Sequence, residues 1–380
     1  MLNPRVGNIR YIVLATVGMA VAGIAVGQTG GSKSRYLDGS PRFLTLPANF
    51  TTPAGAAATT ASAPLPVWTG SFVFNGSTFP YTMVGTDPAA GSQTTTVQAI
   101  IVPLKFAFSD GTVLDPTALA FGSSQSAVHS TVMSPLFQST SFAPGGTNVG
   151  TTQYIDAFQR ANFWDEVSTI SPDYHVRLTQ PFVLSSAVQV NVPSLFGNTV
   201  RGPGARIGQV SLFYFNLWLT AALSKITSVQ PNELLIFLTY NTFFTQQGCC
   251  ILGFHQATGL SPSTARTVVV AAYNDTGVFT DPIEDVHALS HELGEWMDDP
   301  FGNNPTPGWS AGQAAGACQK NLEVGDPVTG IAFNVKLNGM TYHPEDLVFL
   351  PWFARQSPSA SVNGWYSFLN SFAAPPAVCR

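Results

Sequence analysis

The densest set of groups able to do chemistry lies between residues 282 and 298, where His287, His291, Glu292 and Glu295 fall among apolar neighbours. His291-Glu292-Leu293-Gly294-Glu295 has the form HExxE. Residues four apart share one face of a helix. An imidazole and a carboxylate at that spacing can hold one metal ion, and the acid beside the first ligand can take a proton from water. His287, His291 and Glu295 stand at i, i+4 and i+8. His287 and Glu295 are therefore separated by roughly 12 Å along the axis, too far for one ion. Two ligand pairs remain. Either His291 and Glu295 bind, with Glu292 as general base, or His287 and His291 bind, with Glu292 beside the second ligand. The first pair fits the hydrolytic chemistry better. It leaves His287 as a support for a ligand, a group near the transition state, or a surface histidine.

The charge around these residues favours a cation. Between Arg266 and Lys320 there is no Lys or Arg, whereas eight acids occur there, from Asp275 to Asp299. A solvated helix face usually interleaves acids with bases. Asp298 and Asp299 also sit at the unfavourable end of the helix dipole. A third ligand is expected from Asn321-Leu322-Glu323-Val324-Gly325-Asp326-Pro327, with Glu323 the first choice and Asp326 the second. Zinc is the expected ion. One imidazole with two carboxylates is an oxygen-rich set that also suits Mn²⁺ or Ca²⁺.

The elements that must position this set can be read from periodicity. Asp281 can cap a helix, Pro282 suits its first position, and Glu284 completes a capping box. Val286, Leu289, Leu293, Trp296 and Met297 form one apolar stripe, and Pro300 stops the helix. A helix over 282–298 follows. Strands are expected over 99–108, 174–178, 182–192, 234–240 and 267–273, with a hairpin turn at Asp110-Gly111. Helices are expected over 152–167 and 209–226, and late strands near 330–335 and 347–350. Strands and helices do not alternate regularly, so the fold class is α+β, a mixed sheet with packed helices.

Charged residues make up 10% of the chain and the net charge is −5, with no basic run, which removes the electrostatic basis for nucleic-acid binding. Arg5 and Arg10 precede an apolar run over 11–26 that ends in Ala25-Val26-Gly27. That pattern predicts a signal peptide over 1–27 and a secreted, extracellular or periplasmic protein, with no membrane association after cleavage. Residues 28–95 read as an Ala/Thr/Pro-rich linker or propeptide-like segment, most flexible over 51–66, and 96–380 as the metallohydrolase-like domain. Four cysteines suggest disulfides in an exported chain. Adjacent Cys249 and Cys250 are expected not to bond to each other. A long closure is expected instead, Cys318 to Cys379 or either of these to the Cys249/Cys250 pair. No CxxC spacing supports a four-cysteine zinc site.

HExxE keeps the geometry of the zincin HExxH motif, with its second histidine replaced by glutamate. The stretch Ser290 to Asn303, SHELGEWMDDPFGN, resembles the helix motif of the plant phosphate-induced, or exordium-like, secreted proteins and their bacterial relatives. The resemblance extends to Glu323-Val324-Gly325-Asp326, to Gly248-Cys249-Cys250 with Gly253-Phe254-His255, and to Phe333-Asn334-Val335 through Trp352. It implies an extracellular protein with a zincin-like metallopeptidase core, and it favours His291, Glu292, Glu295 and the Glu323 region as the shared site. The chain departs from the plant pattern at His287, where a small residue is usual. His255 either lines the same cleft or is a loop histidine held by a backbone hydrogen bond. His129, His175 and His343 fit no ligand spacing. The expected function is a secreted, metal-dependent, peptidase-like hydrolase acting on a peptide or extracellular polymer. The alternative is a non-catalytic extracellular metal-binding or wall-associated protein.

Overall fold

A computed structural model describes residues 25–28, 33–48, 50, 63–310 and 318–379. The apolar run assigned to a signal peptide falls almost wholly outside them, as do residues 51–62 of the expected linker. The class is α+β, built on one large, mixed, curled sheet. Seven of its strands matter for the site: β1 (Gly39–Leu46), β2 (Thr94–Phe108), β3 (Arg206–Ser211), β4 (Glu233–Tyr240), β5 (Thr242–Thr245), β6 (Cys249–Thr258) and β7 (Arg266–Tyr273). Six of them run in the order β2-β4-β7-β6-β5-β3. β4 is parallel to both β2 and β7, β7 and β6 are antiparallel, and β1 lies parallel to β6.

The apolar runs of β4 and β7 are continuous because both faces of these strands are covered. Successive side chains point to opposite faces. Val268 and Val270 enter one core and Val269 and Ala271 the other. Leu235 and Phe237 oppose Leu234, Ile236 and Leu238 in the same way. Three helices supply the covering layers: α1 (Tyr154–Asn162), α2 (Leu212–Lys225) and α3 (His287–Asp298). Phe215, Trp218 and Leu219 of α2 join the Val268 side. Phe158 of α1 and Leu289, Leu293 and Trp296 of α3 join the Val269 side. α3 lies directly on β7 and β6. Truncating a fully buried anchor such as Leu293 to Ala should cost about 2–5 kcal/mol.

Several elements differ from the sequence expectation. The helix expected over 209–226 begins at Leu212, because Gly208–Ser211 pair with Thr242–Thr245 in the sheet. The helix expected over 152–167 divides at Phe163 into α1 and a short Trp164–Thr169 helix. The late segments form a hairpin of Val335–Leu337 with Met340–Tyr342, and a helix over Leu350–Ala354. The segment 28–95 is not linker throughout. β1 is seated in the main sheet, and a hairpin of Val67–Phe74 with Ser77–Val84 packs onto α3. Cys249 is bonded to Cys250, contrary to expectation, and Cys318 to Cys379. Among the described residues no helix is long and apolar enough to cross a membrane.

Candidate metal centre

α3 starts later than its capping signals suggest. Asp285 adopts a left-handed φ of 44°, which no helix continues through, and the N-cap is Val286. Its carboxylate has other work. It accepts from the backbone N–H of Val286 and of His343, and it pairs with His343 Nδ1 at 2.7 Å. The expected Asp281–Glu284 capping box is therefore not formed. All twelve residues of α3 are buried, so its polar face looks into the protein and not into solvent. Gly294 permits this, since a Cβ there would lie 2.6 Å from Leu347 Cδ1. At the far end, Asp298 accepts from the side chains of Gln159 and Asn162 of α1. Asp299 accepts from the backbone of Asn303 and Asn304, both at 2.9 Å.

His291 is held from one side of its ring. Nδ1 stands 2.6 Å from Glu345 Oε2. A carboxylate accepts and does not donate, so Nδ1 carries the proton and a neutral ring presents a bare Nε2. That Nε2 lies 2.9 Å from Glu295 Oε1 and 3.7 Å from Asp326 Oδ1. Neither Nε2 nor Asp326 Oδ1 has a hydrogen-bond partner, although both are buried. His291, Glu295 and Asp326 each offer a ligand atom, all within 4.8 Å. Phe43 of β1 stacks on the imidazole with centroids 3.5 Å apart, and Gly325 presses on it so closely that a Cβ would lie 2.4 Å from Nδ1. Gln319 Nε2 donates to Asp326 Oδ2 at 2.8 Å and fixes the third acid.

A second group adjoins the first. His255 on β6 is fully buried and its Nε2 lies 3.1 Å from the carbonyl oxygen of Asp299. Nε2 must be the donor there, which leaves Nδ1 facing Glu292 Oε2 at 3.2 Å and Glu295 Oε2 at 3.6 Å. His255, Glu295 and Glu323 also offer ligand atoms within 4.8 Å of one another. Glu323 Oε1 accepts from Asn321 Nδ2 at 2.8 Å, while its Oε2 has no partner. These two groups of buried His, Glu and Asp could hold a metal ion.

His287 joins neither group. Its Nε2 stands 3.3 Å from Glu345 Oε1, behind the carboxylate that orients His291. Glu292 lies against β6, where a Cβ on Gly253 would come within 2.8 Å of its Oε1. Glu345 escapes the sequence reading, whereas His255, offered there as a residue of the same cleft or as a loop histidine held by the backbone, lies on β6 in the second group and is held by a backbone carbonyl. His255 carried a faint signal, a lone imidazole inside the apolar run of Cys249 to Phe254. Glu345 carried none, because no spacing links it to an element 54 residues away.

Burial dominates the electrostatics. It pushes Glu292 and Glu323 well above the ordinary carboxylate range, Asp326 up to about 8, and Asp298 and Asp299 up to about 7. Burial also lowers His255. At His291 burial opposes the charge, but Glu295 and Glu345 outweigh it and hold the ring well above its usual value. Burial would raise Glu295 and Glu345 too. It is overcome by His291 at Glu295, and by His287 and His291 at Glu345. Among the described residues no Lys or Arg pairs with any acid of either group. No family model, curated protein or solved structure matches this chain. Function is read from the side chains themselves.

Proposed function

We propose that this protein is a zinc-type metalloprotein with the parts of a metal-dependent hydrolase, acting outside the cytoplasm on a peptide or extracellular polymer. The observation that carries the metal is the buried Nε2 of His291, which has no hydrogen-bond partner and lies with oxygens of Glu295 and Asp326 inside 4.8 Å while Glu345 holds the opposite ring nitrogen. A carboxylate–histidine pair of this kind orients a metal ligand and raises its basicity. Mn²⁺ and Ca²⁺ suit the same oxygen-rich donors. A divalent ion held there would supply Lewis acidity toward water and a carbonyl. Glu292 is the group in this chain to receive the proton. It follows the first ligand in sequence and its Oε1 is unpartnered. The two disulfides and the basic-then-apolar N-terminus support export. The HExxE stretch and the Glu323–Asp326 segment support kinship with exordium-like proteins.

A second reading has its own observation. No side chain of the set is more than 5% exposed. A structural ion is closed off by protein ligands, whereas a catalytic one keeps an open position. The alternative is therefore a non-catalytic extracellular protein in which the ion ties α3 to the 323–326 segment. Metal analysis of purified wild type beside His291→Ala and Glu292→Gln, with a peptide-hydrolysis assay on each, separates these. Absence of stoichiometric metal in wild type refutes both readings. Stoichiometric metal without hydrolysis leaves the structural one. If Glu292→Gln keeps its metal and hydrolyses as fast as wild type, Glu292 is not the base.

A further inference from the structure

Glu295 turns its two oxygens to different histidines: Oε1 lies 2.9 Å from His291 Nε2, and Oε2 lies 3.6 Å from His255 Nδ1. Each histidine has its other ring nitrogen fixed by an acceptor, Glu345 for His291 and the Asp299 carbonyl for His255. Each side also has its own carboxylate oxygen, buried and without a hydrogen-bond partner: Asp326 Oδ1 beside His291 and Glu323 Oε2 beside His255. A single ion would leave one of these sets unsatisfied.

Charge points the same way. His287 and His291 both face Glu345, but among the described residues no Lys or Arg pairs with Glu292, Glu295, Glu323 or Asp326. Once ionised, those four carboxylates would be half balanced by one divalent ion and fully balanced by two. Uncompensated buried charge is strongly disfavoured.

We propose that the centre takes two divalent ions bridged by the Glu295 carboxylate, one on His291 and Asp326 and the other on His255 and Glu323. This rests on the metal-centre reading above and extends it. Two-metal sites in hydrolytic enzymes place their ions about 3.5–4 Å apart, a span that the two oxygens of one carboxylate can bridge. The rival arrangement is one ion on the His291 side, with Glu292 keeping a proton that it donates to His255 Nδ1.

The purified protein, loaded with Zn²⁺ and freed of loosely held ion, should contain about two equivalents, and His255→Gln and Glu323→Gln about one each. Loaded with Mn²⁺, wild type should show an exchange-coupled electron paramagnetic resonance spectrum. About one zinc in wild type, unchanged by Glu323→Gln, overturns the second ion and leaves the His291 centre standing. No zinc in wild type overturns the reading beneath both. If either variant fails to fold, the wild-type Mn²⁺ spectrum at full loading decides. Coupling supports the bridge, and an isolated six-line signal refutes it.

Discussion

Replacing Glu345 by Gln isolates the support beneath His291. The carboxylate accepts from His291 Nδ1 at 2.6 Å and from the Gly330 N–H at 3.0 Å, in a fully buried setting. Removing such a partner typically weakens metal binding about 10–100-fold. That range corresponds to about 1.4–2.7 kcal/mol. The short, charge-assisted contact and its complete burial place the expectation in the upper half of the range. At free zinc about 100 times the dissociation constant, a bound ion would stabilise the folded wild type by about 2.7 kcal/mol. Glu345→Gln at the same free zinc would retain roughly 0.4–1.4 kcal/mol of that. Denaturant unfolding of both proteins, with zinc and with chelator, measures this difference. The metal-free variant also loses a buried ion pair, so the zinc-dependent increment is the quantity to compare. If that increment equals the wild-type value in a natively folded variant, Glu345 does not tune the ligand and the orienting argument fails.

Three further outcomes are expected. Gly325→Ala keeps an accessible backbone (φ −88°) but places a Cβ 2.4 Å from His291 Nδ1, so it should cost about 1–3 kcal/mol by overpacking and lower metal occupancy; unchanged unfolding and metal content would refute the close approach. Burial raises Asp298 and Asp299 to about 7 and Asp326 to about 8, from 3.8, so the metal-free folded chain keeps protons that the unfolded chain releases. Metal-free stability should therefore fall as pH rises from about 4 through 8, and a melting temperature that climbs over this window would contradict the burial of these acids. Replacing both Cys318 and Cys379 by Ser opens a closure of 61 residues and should cost about 4 kcal/mol in the chain-entropy limit; equal unfolding midpoints of oxidised wild type and the double variant would show that the bond contributes nothing.

The HExxE pairing and the end of α3 were legible because both follow from local rules, helical spacing and a proline stop. The apolar strands were legible for the same reason. The start of α3 was not. Asp281, Pro282 and Glu284 have the right types, but Asp285 is drawn into a left-handed turn by His343, a residue far along the chain. β1 was hidden because the Ala/Thr/Pro composition of 51–66 coloured the reading of its neighbours. Its place is set by pairing with β6, which no local window contains. Glu345 was invisible for a similar reason, since its role exists only once the loop after Met340–Tyr342 folds over α3. Asp298 and Asp299 look like uncompensated charge in sequence. Amide groups of Gln159 and Asn162 satisfy one, and the backbone of the following loop satisfies the other.

The parallel pairing of β1 with β6 also has a consequence in time. Phe43 must meet His291, and Thr45 must meet Asn321 Nδ2, across separations of hundreds of residues. Contacts so distant in sequence form slowly, because a large loop must close before any of them is rewarded. A nascent chain that has just extruded the HExxE segment has a helix in the making but no centre. An early strand waits for nearly the last loop. The candidate centre is therefore among the late structures to close.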